Sequence, residues 1–143
     1  MSRYLDSDYV KLRRECTIKY SELPLQKSNL HVHDAYEIIL LLSDNVEVFI
    51  NDVSYPVPYG SLMLFNTMDA HRIKYNGNDI YRRYVVHFKP AFLNKLESLF
   101  HHLLRCFFLR NFDKPNLLCL SEEDLAETLS YYKRLQGIGR AHV

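Results

Sequence analysis

The chain has 143 residues, with 18 basic and 17 acidic side chains and a formal net charge of +1 at pH 7. This length fits one domain with an ordinary core, and the balanced charge gives no indication of a nucleic acid, a membrane or a polyanion as a partner. Three cysteines without a C-x-x-C pair argue against a disulfide framework or a zinc ribbon, and no run is long and apolar enough for a signal sequence or a membrane span, so we expect a cytoplasmic protein.

The first two thirds of the chain have the pattern of short β-strands. Residues 1–15 show no clear period, and we treat them as an N-terminal arm. Beyond them, turn residues such as Asp44-Asn45, Asn51-Asp52 and Asn76-Gly77-Asn78 separate runs that alternate or are apolar throughout. Strands are predicted at 17–20, 37–42, 46–50, 53–57, 62–65, 71–75 and 81–88. Many short strands at close spacing predict a barrel or a sandwich.

The pattern changes to that of helices after Pro90. Apolar residues recur at intervals of three and four from Phe92 to Leu104, which predicts an amphipathic helix. Residues 117–120 fit a short strand or the approach to a helix, and Ser121 before three acidic residues is typical of a helix N-cap. After Ser121, apolar residues at helical spacing form a second stripe: Leu125, Leu129, Tyr132 and Leu135. Because a small barrel has little surface left for this stripe to cover, we expect it to form a dimerisation surface.

The last residues are expected to differ in origin from the rest. Residues 138–143 match the conceptual translation of a common sequencing adapter, and they follow the point where helical periodicity stops, after Leu135. We therefore expect the natural chain to continue beyond about Gln136, with residues 137–143 as a non-native tail.

The run from His31 to Glu37 carries the most chemistry. His31 and His33 lie on one face of a strand, and Glu37 follows four residues later. Imidazoles and carboxylates are ordinary ligands for zinc, iron or manganese, so these three residues could form half of a metal site. They could equally line a pocket through hydrogen bonds, or be structural histidines.

The predicted strand at 81–88 raises a second question. Arg82 and Tyr84 share one face, and Arg83 lies on the other. One arginine is expected to point inward, where it needs a carboxylate from the protein or from a ligand; the alternative is a solvated arginine on the exterior.

These motifs resemble those of a known family. The pattern His-x-His-x-x-x-Glu, then Pro58-Tyr59-Gly60 and His71, resembles the two cupin motifs. With the strand from Tyr81 leading into Pro90, the set resembles the N-terminal domain of AraC-type transcriptional regulators over roughly residues 16–135. The resemblance implies a mainly β fold, a cupin-like double-stranded β-helix (jelly-roll barrel) at 16–89, followed by C-terminal α-helices at 90–136 that form a dimerisation segment.

The same resemblance implies a sensor and not an enzyme. We expect a homodimer without a cofactor that binds a small polar effector, such as a sugar, and that contacts DNA only through a C-terminal helix-turn-helix domain absent from this chain. The expected ligand-binding residues are His31, His33, Tyr36, Glu37, His71, Arg82 and Tyr84. The alternatives are a metal-dependent cupin enzyme, an isomerase or dioxygenase using His31, His33, Glu37 and His71, and a barrel that has kept only dimerisation.

Overall fold

The computed structural model describes residues 9–10, 15–23, 32–93, 105, 107 and 117–141. These contain ten strands: β1 (Tyr9–Val10), β2 (Cys16–Leu23), β3 (Val32–His33), β4 (Tyr36–Leu41), β5 (Val46–Ile50), β6 (Val53–Val57), β7 (Ser61–Phe65), β8 (His71–Tyr75), β9 (Tyr81–Phe88) and β10 (Leu117–Cys119). Two helices complete the described elements, α1 (Pro90–Leu93) and α2 (Glu122–Ala141). The chain is mainly β, as predicted.

Two larger antiparallel sheets form the body of the domain. One has five strands in the order β10-β7-β4-β9-β2, and the other has three in the order β6-β5-β8. Strands β1 and β3 form a separate parallel pair. Neighbouring strands along the chain often belong to different sheets, which is typical of jelly rolls.

The core lies between the two larger sheets. Inner-face side chains from both sheets form one buried apolar cluster, the inner cluster: Ile39, Leu41, Val46, Val48, Ile50, Val57, Met63, Phe65, Ile73, Tyr75, Tyr81 and Val85. Because successive side chains in a strand point to opposite faces, the odd-numbered residues of β4 and β9 face this interior.

A second apolar cluster covers the outer face of the five-stranded sheet. Tyr36, Leu64, Val86, Phe88 and Phe107 form it. Phe107, which is helical, lies between α1 and α2 in the chain. Helix α2 supplies Tyr132, whose ring lies 5.4 Å from that of Tyr84. The central strands are therefore buried on both faces.

The turns explain how the chain passes between sheets. Asn51 and Asp52 have φ values of 48° and 71° and close the β5–β6 hairpin, as predicted. The other predicted hairpin turn, Asp44-Asn45, connects strands of different sheets, because β4 pairs with β7 and β9 and not with β5. Asn45 still has the positive φ, 60°, that favours asparagine in turns.

The C-terminal predictions have mixed outcomes. The segment 117–119 is a strand that pairs with β7. Ser121 is the N-cap of α2, since its Oγ accepts a hydrogen bond from the Asp124 N–H at 3.1 Å. Helix α2 continues to Ala141, beyond the end of the predicted stripe. Most of the helix predicted from Phe92 to Leu104 lies outside the described residues.

Candidate functional site

A buried carboxylate joins two histidines at one end of the barrel. Glu37 Oε1 lies 3.0 Å from His71 Nε2, and Glu37 Oε2 lies 2.5 Å from His87 Nε2. The side chains of Glu37 and His71 are 4% and 1% exposed, whereas that of His87 is 17% exposed. We call these three residues the Glu37 cluster. It is a polar group inside an interior that is otherwise largely apolar.

Strand pairing places these side chains together. Glu37 on β4 lies directly opposite His87 on β9, so both face the interior. On the other side of β4, Glu37 lies opposite Phe65 of β7. The Phe65 ring stacks on the His71 ring, with a centroid distance of 3.9 Å and an interplanar angle of 4°. One sheet therefore supplies Glu37 and His87, and the other supplies His71.

The turn before β8 orients the His71 ring. Asn66 accepts a hydrogen bond from the Met68 N–H at 2.8 Å through Oδ1, and its own N–H donates to Asp69 Oδ2 at 2.9 Å. This arrangement directs the Asp69 carbonyl oxygen toward His71 Nδ1, 3.0 Å away. A carbonyl oxygen only accepts hydrogen bonds, so Nδ1 carries a proton.

That proton on Nδ1 restricts the other nitrogen of His71. The Nε2 atom faces a carboxyl oxygen, so a second proton must lie between Nε2 and Glu37 Oε1. The pair is either an imidazolium with a carboxylate or an imidazole with a carboxylic acid. Such a group can accept a proton from, or donate one to, a bound hydroxyl.

The cluster differs from the metal set predicted from the sequence. The imidazoles of His71 and His87 are directed at different oxygens of one carboxylate, whereas a metal site requires donor atoms that converge on one point. Within the described part of the chain, no group of three or more His, Cys, Asp or Glu side chains is arranged to hold a metal ion. His31 lies outside that part, as does the side chain of His33, so the four-residue metal set stays the untested alternative.

Three other predicted ligand-binding residues lie away from the barrel interior. Tyr36 packs on the outer face against Phe88, at a ring distance of 5.2 Å. Tyr84 packs between Tyr20 and Tyr132 on the same face. Both tyrosines therefore lie on the outer face, because even-numbered residues of β4 and β9 face the helices, and their role in ligand binding stays a prediction.

Arg82 is also directed outward. Its guanidinium lies 3.6 Å from Glu22 Oε1 and 3.5 Å from Asp79 Oδ2 on the surface, and its side chain is 37% exposed. The inward-facing arginine is Arg83, which shares its face with Tyr81 and Val85. The guanidinium of Arg83 lies over the Tyr81 ring, 4.9 Å from the centroid.

The residues of the predicted dimerisation stripe differ in their burial. Tyr132 is partly buried against the barrel, and this burial raises its pKa to about 12. Leu125 lies next to Gly60: a Cβ atom added to Gly60 would be 3.3 Å from Leu125 Cδ2. Leu135 is 46% exposed, and Tyr131, which is not a member of the stripe, is 51% exposed. One part of the stripe therefore stabilises the domain itself, and another part faces outward.

A groove lies at the other end of the barrel. It has a volume of about 410 Å³, and its polar walls include Asp44, Asn45, Asn78, Asp79 and Arg82. Tyr75 forms its inner wall and stacks against Tyr81 at a ring distance of 5.7 Å. Four residues of β4 separate this end from Glu37, a distance of about 13 Å along the strand.

Sequence reasoning did not select His87 as a site residue. The alternation of β9 placed it on the face of Val85, but β9 alone did not indicate whether that face was inner or outer. The missing information was the register between β4 and β9, which places His87 opposite Glu37.

No helix in the described part of the chain has the length and apolar character needed to cross a membrane. This finding agrees with the lack of an apolar run of that length in the sequence.

Several solved structures have the same fold. ToxT from Vibrio cholerae is 16% identical with a TM-score of 0.58, over 83% of this chain and 48% of ToxT, so this chain spans about half of ToxT's length. ToxT bound to (E)-4-(8-methylnaphthalen-1-yl)but-3-enoic acid is 15% identical with a TM-score of 0.58, over 85% of this chain and 49% of ToxT. The Cnp3 cupin domain of Schizosaccharomyces pombe is 15% identical with a TM-score of 0.51, over 73% of this chain and 71% of that domain. These likenesses support the predicted cupin-like jelly roll.

The family assignment comes from the sequence match. The AraC-like ligand binding domain family matches residues 18–132, which include both larger sheets and the first half of α2. This chain therefore belongs to the AraC-like ligand binding domain family, and it is an effector-sensing domain of the AraC type.

Proposed function

We propose that this domain binds a small polar metabolite in its barrel and thereby controls DNA binding by a C-terminal helix-turn-helix domain of a longer protein. The observation that carries the proposal is the match to the AraC-like ligand binding domain family over residues 18–132. The organic acid bound in a solved structure of ToxT supports a small-molecule effector for a domain of this fold.

The Glu37 cluster supports a polar effector. Burying a carboxylate and two imidazoles is costly unless their hydrogen bonds are satisfied, and this interior supplies few other polar groups. Because the side chain of His87 is 17% exposed, it is the member of the cluster that a ligand reaches first. A sugar fits this chemistry, since each hydroxyl can both donate to Glu37 and accept from an imidazole N–H.

Helix α2 offers a route for the response. Tyr132 of α2 contacts Tyr84 of β9, and His87 lies three residues further along the same strand. A ligand that binds better to one arrangement of β9 and α2 shifts the population toward that arrangement. We propose that Tyr131 and Leu135, which are exposed on α2, belong to the surface that pairs two copies of the chain as a homodimer.

A regulatory role is favoured over catalysis because the family match is to a ligand-binding domain. The metal-dependent enzyme is the alternative hypothesis from the sequence, with His31, His33, Glu37 and His71 as ligands. Elemental analysis of the protein purified without chelator separates the two readings. Near-stoichiometric metal that disappears in a His31→Ala, His33→Ala double variant would support the enzyme.

The sensor itself is tested by a thermal-shift screen with sugars and other small metabolites on wild-type protein and on His87→Ala. We expect at least one compound to raise Tm in the wild type, with a smaller rise in the variant. Lys74→Ala, on the outer face of β8, is the matched control. An effector with an equal Tm rise in His87→Ala would contradict a role of the Glu37 cluster in binding.

A further inference from the structure

Unpartnered polar groups are concentrated at one place on the inner face. Four buried polar side-chain atoms in the described part of the chain have no hydrogen-bond partner: Ser21 Oγ, Ser61 Oγ, Arg72 Nε and Arg83 Nε. Ser21 and Ser61 are 7% and 1% exposed. A buried hydroxyl without a partner costs about 1–3 kcal/mol, so such groups require an explanation.

Three of these four groups lie in one row across the five-stranded sheet. Ser21 on β2 lies directly opposite Arg83 on β9, and Arg83 lies opposite Leu41 on β4. Ser61 on β7 follows next to Leu41, whose carbonyl accepts a hydrogen bond from the Gly60 N–H at 2.9 Å. Because Leu41 belongs to the inner cluster, the whole row faces the interior.

The distances within the row allow its members to contact one small ligand. Neighbouring strands are about 5 Å apart, so Ser21 and Arg83 can contact the same small group, and Ser61 lies about 10 Å from Arg83 across Leu41. We call Ser21, Arg83 and Ser61 the donor row. It lies on the Tyr81 side of the barrel, away from the Glu37 cluster.

The charge of the donor row is not compensated within the part of the chain that the structure describes. The ion pairs found there join Glu37 to its histidines, Arg82 to Glu22 and Asp79, and Lys89 to Asp34. The contacts of Arg83 are with Tyr81: one guanidinium nitrogen lies 3.4 Å from the hydroxyl, and the ring lies below. None of the ion pairs among the described residues includes Arg83, so its guanidinium fork is suited to a carboxylate from a ligand.

The surroundings indicate the rest of the ligand. Apolar residues of the inner cluster, Leu41, Tyr81 and Val85, flank the donor row. Among the described strands, β2 is at the edge of its sheet, so the row ends at that edge. Lys19, two residues from Ser21 on the same face of β2, is exposed there and adds positive charge.

We infer that the donor row binds the carboxylate of a small organic acid, with Arg83 and Ser21 as its hydrogen-bond donors. This inference rests on the proposed sensing function and names the chemical class of the effector. The carboxylate accepts from the Arg83 guanidinium and from the Ser21 hydroxyl, while Ser61 donates to a second oxygen-bearing group about 10 Å away. The apolar part of the acid packs on Leu41 and Val85.

The test compares acids with neutral compounds of the same shape. Hexanoate is paired with hexanamide and benzoate with benzamide, and binding to the wild-type protein is measured by titration calorimetry. We expect each acid to bind about tenfold or more tightly than its amide, because hydrogen bonds to charged groups are stronger than those between neutral groups. Equal affinity for acid and amide would overturn the inference without any variant.

Two arginine variants locate the effect. Arg83→Gln is expected to remove the preference for the acid, and Ser21→Ala to reduce it. Arg82→Gln, a change in the next residue on the outer face, is expected to retain it. An acid preference that persists in Arg83→Gln would assign the carboxylate to another site.

A third pair of probes separates the two proposals. L-arabinose and D-glucose are titrated alongside the acids. Binding of a sugar alone would overturn the acid and leave the sensor standing. Binding of no probe would overturn the acid and count against the sensing function as well.

Discussion

Replacement of Glu37 tests whether the Glu37 cluster stabilises the fold. In Glu37→Ala, the imidazoles of His71 and His87 lose the carboxylate that both contact. Removing one partner from a buried charged pair costs about 3–5 kcal/mol, because the remaining polar groups stay buried without a partner. For a chain of this size, that loss corresponds to a decrease in Tm of about 10–17 °C.

The Glu37→Gln variant refines this expectation. An amide can donate to one imidazole and accept from the other, and His71 can present a lone pair at Nε2 because its Nδ1–H donates to the Asp69 carbonyl. We therefore expect Glu37→Gln to cost about 1–2 kcal/mol, since both nitrogens keep a hydrogen bond but the charge is lost.

The assay is urea unfolding followed by far-UV circular dichroism, since the chain has no tryptophan. Glu47→Ala is the matched control, because Glu47 lies half-buried on the outward-facing side of β5. A loss below about 1 kcal/mol in Glu37→Ala, equal to that of the control, would refute the reasoning.

Three further predictions concern α2 and its contacts. Since burial raises the pKa of Tyr132 to about 12, the folded form keeps a proton that the unfolded chain releases near pH 10. The contribution of Tyr132 to the free energy of unfolding is therefore complete below pH 10 and falls by about 1.4 kcal/mol per pH unit up to about pH 12. In urea unfolding, Tyr132→Phe should lose less stability at alkaline pH than the wild type does. Ser121→Ala removes the N-cap contact to Asp124 and is expected to cost about 1 kcal/mol in urea unfolding. Gly60→Ala places a Cβ at φ +81° and 3.3 Å from Leu125 Cδ2, and its Tm should fall by an amount equivalent to about 1–2 kcal/mol.

Each of these three predictions has a matched control. Tyr59→Phe, at a site 48% exposed, should leave the alkaline loss unchanged. Ser130→Ala, within the exposed part of α2, should cost less than Ser121→Ala. Gly137→Ala meets no atom within 4 Å and should stabilise α2 by about 0.5–1 kcal/mol. Equal effects in a variant and its control would contradict the corresponding prediction.

Local sequence signals determined most of the secondary structure. The alternation of β5 and β8, the turn pair Asn51-Asp52 and the N-cap at Ser121 each act over a few residues, so they can be read from the chain directly. The run that ends at Glu37 selected that residue, and the family resemblance selected His71; the structure places the two side chains 3.0 Å apart.

The direction of the side chains in the central strands was decided only by the tertiary structure. In β4, all but one residue are buried, and β9 is buried on both faces near its end. A strand covered on both faces has apolar residues on each, so alternation does not indicate which face is inner. For this reason Tyr36 and Tyr84 were assigned to the interior, and Arg83 and His87 were not selected.

A barrel or a sandwich followed from the strand pattern and the turn residues, because these signals are local, and the cupin-like jelly roll followed from the family resemblance of the motifs. Which side chains face the barrel interior could not be predicted, because it depends on the register between strands. The pairing of β4 with β9 places His87 beside Glu37, and the pairing of β2 with β9 places Ser21 beside Arg83. Strands distant in sequence make these contacts, and a shift of one residue in their register would turn each side chain to the opposite face.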